Sequence, residues 1–105
     1  MSTAELAVEL TQRLVELYQP DRIYLFGSRA RGEAGPDSDF DFLVVVPDTM
    51  PRADWYPKKI FRLLADVDAP VDVVVWPRRR FEERLHLKAS LPATVVREGT
   101  LLYAA

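Results

Sequence analysis

The chain contains no cysteine and a single histidine. The first absence excludes disulfides and thiolate metal sites while leaving the redox compartment open. The second rules out a zinc site built from several imidazoles. No apolar run approaches the ~20 residues that span a bilayer, so no membrane partner is expected. The opening residues MSTAELAVELTQ lack the basic start and apolar core of a secretory signal, and a cytoplasmic location is the default expectation. A formal net charge of −2 supplies no overall positive field, so bulk nucleic-acid binding is not expected either. Internal repeats, low-complexity tracts and linkers are also missing. What remains is one domain over residues 1–105, long enough for a single core.

Within that length the elements alternate. Leu6, Leu10, Leu14 and Leu17 recur at helical spacing behind a capping box of Ser2 and Glu5, predicting a helix over 2–18 that Pro20-Asp21 stops. Residues 22–26 (RIYLF) and 39–46 (DFDFLVVV) read as strands. Between them, Ser28 to Arg31 is expected to open a short helix whose first N–H groups form an anion seat. Gly32, Gly35 and Pro36 make a turned loop, and Pro36-Asp37-Ser38 is an ordinary turn. A second helix is expected over 54–67, with Ile60, Phe61, Leu63, Leu64 and Val67 inward, and a third strand over 71–75. A further helix over 78–88 would turn Phe81 and Leu85 inward. The tail carries a break at Pro92, a short helical piece, a turn at Glu98-Gly99 and a last strand over 100–103. The class is α/β (α+β): a small, mixed sheet of three to four strands with helices packed on it.

The chemistry concentrates in three acids. In a strand, Asp39 and Asp41 point to the same face. Asp72 stands second in the otherwise apolar run Val71 to Val75, where a lone carboxylate is costly unless paired or metal-bound. If the strands are neighbours, three like charges about 4 Å apart repel by several kcal/mol per pair at an effective dielectric of about 20. Bound divalent cations resolve this, and hard oxygen ligands suit Mg2+, with Mn2+ an alternative. Two ions could bridge such a set, and Ser28 with the backbone around Gly27 could hold a triphosphate.

Gly27-Ser28, ten residues, then Asp39-Phe40-Asp41 resembles the G-S-x10-D-x-D signature of the nucleotidyltransferase superfamily that includes DNA polymerase beta. GSRARG followed by SDFDFLVVV and VDVVV resembles its minimal bacterial and archaeal members, over residues 20–76 or so. The resemblance implies a nucleotidyltransferase fold. It implies that Gly27 and Ser28 hold the nucleotide phosphates, that Asp39 and Asp41 ligate two magnesium ions, and that Asp72 completes the site and helps activate the acceptor hydroxyl. Arg29 and Arg31 match basic positions that could contact triphosphate or acceptor. It further implies AMP transfer from ATP, or from another nucleoside triphosphate, to a tyrosine hydroxyl on a small helical HEPN-type partner, with this chain as its antitoxin.

Other features have plainer readings. Arg78, Arg79 and Arg80 suit a solvated helix start, although their charge opposes the helix dipole. Trp55 is expected to pack beneath the second helix, Trp76 belongs to core or rim, and His86 carries no role. Against the enzyme stand two alternatives. One is a module that binds nucleotide or occludes a toxin without catalysis. The other, transfer to a small molecule, is disfavoured by the absence of a second substrate-binding domain. Little chain remains for an acceptor platform once the catalytic elements are assigned, so the acceptor or a second subunit is expected to complete the site.

Overall fold

A computed structural model describes residues 2–32, 35 and 39–105. Helix α1 (Thr3–Tyr18) begins at the reciprocal cap read from the sequence: the Glu5 N–H donates to Ser2 Oγ, and the Ser2 N–H donates to the Glu5 carboxylate. Its inner stripe is carried by Leu10, Leu14 and Tyr18, all buried. Gln19 closes it in the left-handed conformation (φ 48°, ψ 54°), and Pro20 cannot continue it.

Four strands form one sheet: β1 (Arg22–Phe26), β2 (Phe40–Val46), β3 (Val71–Pro77) and β4 (Thr100–Ala104), in the order β3-β2-β1-β4. β1 runs antiparallel to both of its neighbours, whereas β2 and β3 are parallel. The sheet is therefore mixed. Strand alternation divides the core into two layers. On one face Ile23, Phe40, Phe42, Val44 and Val46 pack against Leu10, Leu14 and Tyr18 of α1 and Ile60 of α2 (Lys59–Leu64). On the other, Tyr24, Leu43 and Val45 meet Phe81 of α3 (Arg78–Arg84) and Val95 of α4 (Leu91–Glu98). Helices on both faces explain why β2 reads as a continuous apolar run after Asp41.

Several boundaries differ from expectation, each for a local reason. The second helix is a 3-10 turn (Arg52–Asp54) and the short α2, not one helix over 54–67. Pro57 disfavours a helical conformation at Tyr56, and Arg13 takes the Leu63 carbonyl at 2.6 Å near the far end. Phe61, expected inward, is 77% exposed. The third helix stops at Arg84 rather than reaching Lys88, because the Ser90 hydroxyl donates to the Arg84 carbonyl and then caps α4. Leu85 is consequently exposed. Pro92 does not break the tail. It sits in the first turn of α4, where its missing N–H is not needed. β3 runs two residues beyond Val75 and takes in Trp76 and Pro77. Residues 28–32 form turns rather than a helix start, closed by Arg31 N–H to the Gly27 carbonyl at 3.2 Å and Gly32 N–H to the Arg29 carbonyl at 3.3 Å. The expected turn at Pro36-Asp37-Ser38 lies outside the described residues.

Trp55 does contribute to the first core layer, and its carbonyl accepts from the buried Tyr18 hydroxyl at 2.6 Å. Two residues of the arginine run are explained by pairing. Arg78 and Arg79 each meet a glutamate one turn on, and Asp48 accepts the Arg79 N–H at 2.9 Å, placing a carboxylate at the start of α3. No helix among the described residues is long and apolar enough to cross a membrane.

The junction of α4 and β4 leaves no room at Gly99. A Cβ there would lie 2.5 Å from the Val95 carbonyl oxygen and 2.8 Å from that of Leu25. Both are backbone atoms that cannot swing aside. Gly99→Ala is expected to destabilise by about 1–3 kcal/mol, the usual range for overpacking. A thermal melt should show this as a fall of about 4–8 °C per kcal/mol.

Candidate active site

The site begins where β1 ends. Gly27 adopts φ 77°, a conformation that L side chains rarely take, and turns the chain at once out of the sheet. The tightness has a second cause. An ideal Cβ on Gly27 would collide with Asp41 Oδ2. Phe26 is the cross-strand partner of Asp41, so the turn after Phe26 falls against that carboxylate. The spacing between Gly27-Ser28 and the acids is thereby converted into contact.

β2 and β3 supply the rest. In their parallel register Asp41 stands opposite Asp72, and partners in register project to the same face. Asp39, two residues before Asp41, joins them. One carboxylate oxygen from each of Asp39, Asp41 and Asp72 lies within 4.8 Å of the other two. Asp39 and Asp72 are exposed and Asp41 is half-buried. The Asp41 carboxyl is pushed above its usual range by burial first, and then by the charges of Asp72 and Asp39. Burial and both neighbouring charges thus act on Asp41 in the same direction. Three convergent hard oxygen donors fit a magnesium-type ion, so the donor set agrees with the chemistry that the sequence pattern implied.

The basic residues are placed differently. The Arg29 guanidinium lies 4.0 Å from the centroid of the Phe40 ring. Phe40 alternates with Asp39 and Asp41 and belongs to the opposite core layer, so this contact ties the turn to the back of β2. Arg31 is exposed on the same turn. Ser28 is half-buried directly after Gly27. The structure also adds something that periodicity hid. Beside Asp72, at the free edge of β3, lies a cleft of about 410 Å3 walled by Tyr56, Ile60, Phe61 and Leu64. Helical spacing sent Phe61 into the core, while the neighbouring Pro57, which shortens α2, was the signal against it.

The sequence model of the nucleotidyltransferase domain family matches residues 8–101. The chain belongs to that family. The match spans the Gly27-Ser28 turn and all three acids. Among solved structures, it is similar to a chain of a toxin–antitoxin complex with AMP-PNP, at 25% identity and a TM-score of 0.64, over 92% of this chain and 72% of that one. A chain of the MntA-HpeT toxin–antitoxin pair, in a mutant form, shares the fold at 22% identity and a TM-score of 0.60, covering 92% and 71%. So does one from the complex of a tri-AMPylated Shewanella oneidensis HEPN toxin with MNT antitoxin, at 21% identity and a TM-score of 0.51, covering 95% and 72%. No protein of curated function matches this nucleotidyltransferase in sequence. Its four-stranded mixed sheet with helices on both faces is the minimal nucleotidyltransferase fold that the sequence pattern implied.

Proposed function

We propose that this nucleotidyltransferase transfers AMP from ATP to a hydroxyl on a partner protein, and that the partner is a small helical HEPN-type toxin for which it serves as antitoxin. The observation that carries the reading is the register of Asp41 with Asp72 beside Asp39, packed against the Gly27-Ser28 turn. The likeness to chains from toxin–antitoxin complexes, one holding AMP-PNP and one a tri-AMPylated toxin, supports the choice of nucleotide and partner.

In this reading Asp39, Asp41 and Asp72 hold two magnesium ions, which would neutralise the carboxylates and polarise the attacking and leaving oxygens. Gly27 lets the backbone approach the triphosphate, and the Ser28 hydroxyl and the adjacent N–H groups orient it. Arg31 and Arg29 add positive charge on the same turn. Asp72, on the outermost of the strands involved, positions the acceptor hydroxyl and takes up its proton. A tyrosine suits the acceptor role because its oxygen is carried far from its own backbone and can enter a site this shallow. The cytoplasm is the expected location.

The test is direct. The chain is incubated with α-labelled ATP, magnesium and a HEPN-type toxin as the candidate partner. Label is expected on the partner, on a tyrosine, and EDTA is expected to stop the transfer. If the partner binds but is never labelled, and an Asp39→Asn/Asp41→Asn double variant protects cells as well as the parent, the chain acts by occlusion instead.

A further inference from the structure

β3 is the outer strand of the sheet on the side of Asp72. Its backbone groups alternate between β2 and the free edge. The Val75 N–H points outward, since it donates to Tyr56 Oη at 3.0 Å. By the same alternation Val71 and Val73 turn their N–H and C=O groups to that edge. Beneath them opens the cleft walled by Tyr56, Ile60, Phe61, Leu64, Ala69 and Val73, with Asp72 on its rim. Phe61 is 77% exposed and Tyr56 54% exposed, so two aromatic rings stand at the cleft without cover.

The geometry of displacement says what approaches here. A phosphoryl group is attacked in line, from the side opposite its leaving group. The Gly27-Ser28 turn, the phosphate seat of the transfer reaction proposed above, lies on the β1 side of Asp41, and Asp72 lies on the β3 side. In that reaction pyrophosphate would leave toward β1 and the attacking oxygen would arrive over β3.

We propose that the edge of β3 at Val71 and Val73 receives the acceptor as an extended polypeptide segment, with one apolar side chain in the Phe61 cleft and the adjacent hydroxyl-bearing side chain over Asp72. This rests on the transfer reaction proposed above and specifies its acceptor subsite. Successive side chains of an extended segment point to opposite faces. Val71 and Val73 belong to the α1 and α2 layer, whereas Asp72 projects to the face of Asp41. A segment paired to β3 thus places neighbouring residues on the two faces that the structure offers, as in other strand additions. The cleft lining holds no basic side chain to meet a phosphodiester backbone, which favours a polypeptide over an RNA end. In the step itself, the acceptor oxygen bonds to the α-phosphorus of the nucleoside triphosphate. The bond from that phosphorus to the bridging oxygen breaks, pyrophosphate leaves with the electron pair, and the hydroxyl proton passes by way of Asp72 to solvent.

The probe is a blocked peptide, alanine-valine-tyrosine-valine-alanine, titrated into the isotope-labelled full chain. The Val73 amide is expected to shift and to exchange more slowly. N-methylation at one alternate set of peptide positions should abolish binding, and at the other set leave it intact. Phe61→Ser, at an exposed position, should raise the peptide KM about 10-fold in AMP transfer, the loss of one apolar anchor. Calorimetric binding of manganese with a non-hydrolysable ATP analogue should be unchanged in that variant. An unmoved Val73 amide, equal tolerance of both methylation patterns, or a cleft footprint from a short oligoribonucleotide but not the peptide would overturn the proposal. Failure of the unsubstituted chain to bind the manganese-nucleotide pair would instead overturn the transfer reaction, a result read separately from the peptide footprint.

Discussion

Asp41→Asn is expected to lower nucleotidyl transfer about 10³-fold, the scale on which removing one group that stabilises transferred charge acts, and to raise the melting temperature of the metal-free protein. The two changes have one origin. Asp41 is the central acid, opposite Asp72 in register and two residues from Asp39. Its carboxyl is pushed upward by burial and by both neighbours. A folded-state pKa above the unfolded value means that the native state holds the proton more tightly. The stability linked to that proton is present below the unfolded pKa and is lost as pH rises through the folded one. In chelator-treated buffer the parent should therefore lose stability with rising pH relative to Asp41→Asn, whose amide does not titrate. At neutral pH the variant should gain about 0.5–1 kcal/mol, the scale of interactions with exposed charges such as those of Asp39 and Asp72. Added magnesium should reverse the order by stabilising the parent alone. Melting curves at several pH values, with and without magnesium, check every part of this.

Gly27→Ala should be nearly as damaging, and a second glycine supplies its control. Gly27 and Gly32 have almost the same backbone, at φ 77° and φ 74°. Alanine at either incurs about 1–2 kcal/mol of left-handed strain. Only at Gly27 does the new methyl group also meet a neighbour, the Asp41 carboxylate, whereas a Cβ on Gly32 would have nothing within 4 Å. Gly32→Ala should therefore lower stability and leave manganese binding intact. Gly27→Ala should lower stability and displace Asp41, weakening manganese and nucleotide binding about 30- to 100-fold for roughly 2–3 kcal/mol of lost interaction. Equal effects at the two positions would show that strain, not contact with Asp41, explains the glycine.

The parts of this molecule legible in its sequence are those in which one residue type has one physical use. The Ser2 and Glu5 cap, the Leu10 and Leu14 stripe and the apolar run of β2 all behave as local rules require. The three acids were legible because Asp72 had no plain reason to interrupt Val71 to Val75. Strand direction was not legible, and the Asp41–Asp72 register depends on β2 and β3 being parallel. What periodicity misplaced are residues decided by contacts that the helical pattern does not carry. Phe61 sits outside because Pro57 precedes α2 and Tyr56 is held at the edge of β3. Leu85 is outside because Ser90 takes the Arg84 carbonyl. The arginines at the start of α3 looked mismatched until Asp48, thirty-one residues before Arg79, supplied the missing carboxylate.

The parallel register of β2 with β3 has one more consequence, and it concerns how the chain folds. Asp41 and Asp72 are distant in sequence and meet only when the crossover through α2 closes. Closure brings like charges together, so the pairing of β2 with β3 works against its own electrostatics. An ion that binds only the finished cluster draws the population toward the closed form by mass action. The fraction of native molecules would then follow the free divalent-ion concentration, making the reaction site a gauge of the ionic conditions under which the chain completes its fold.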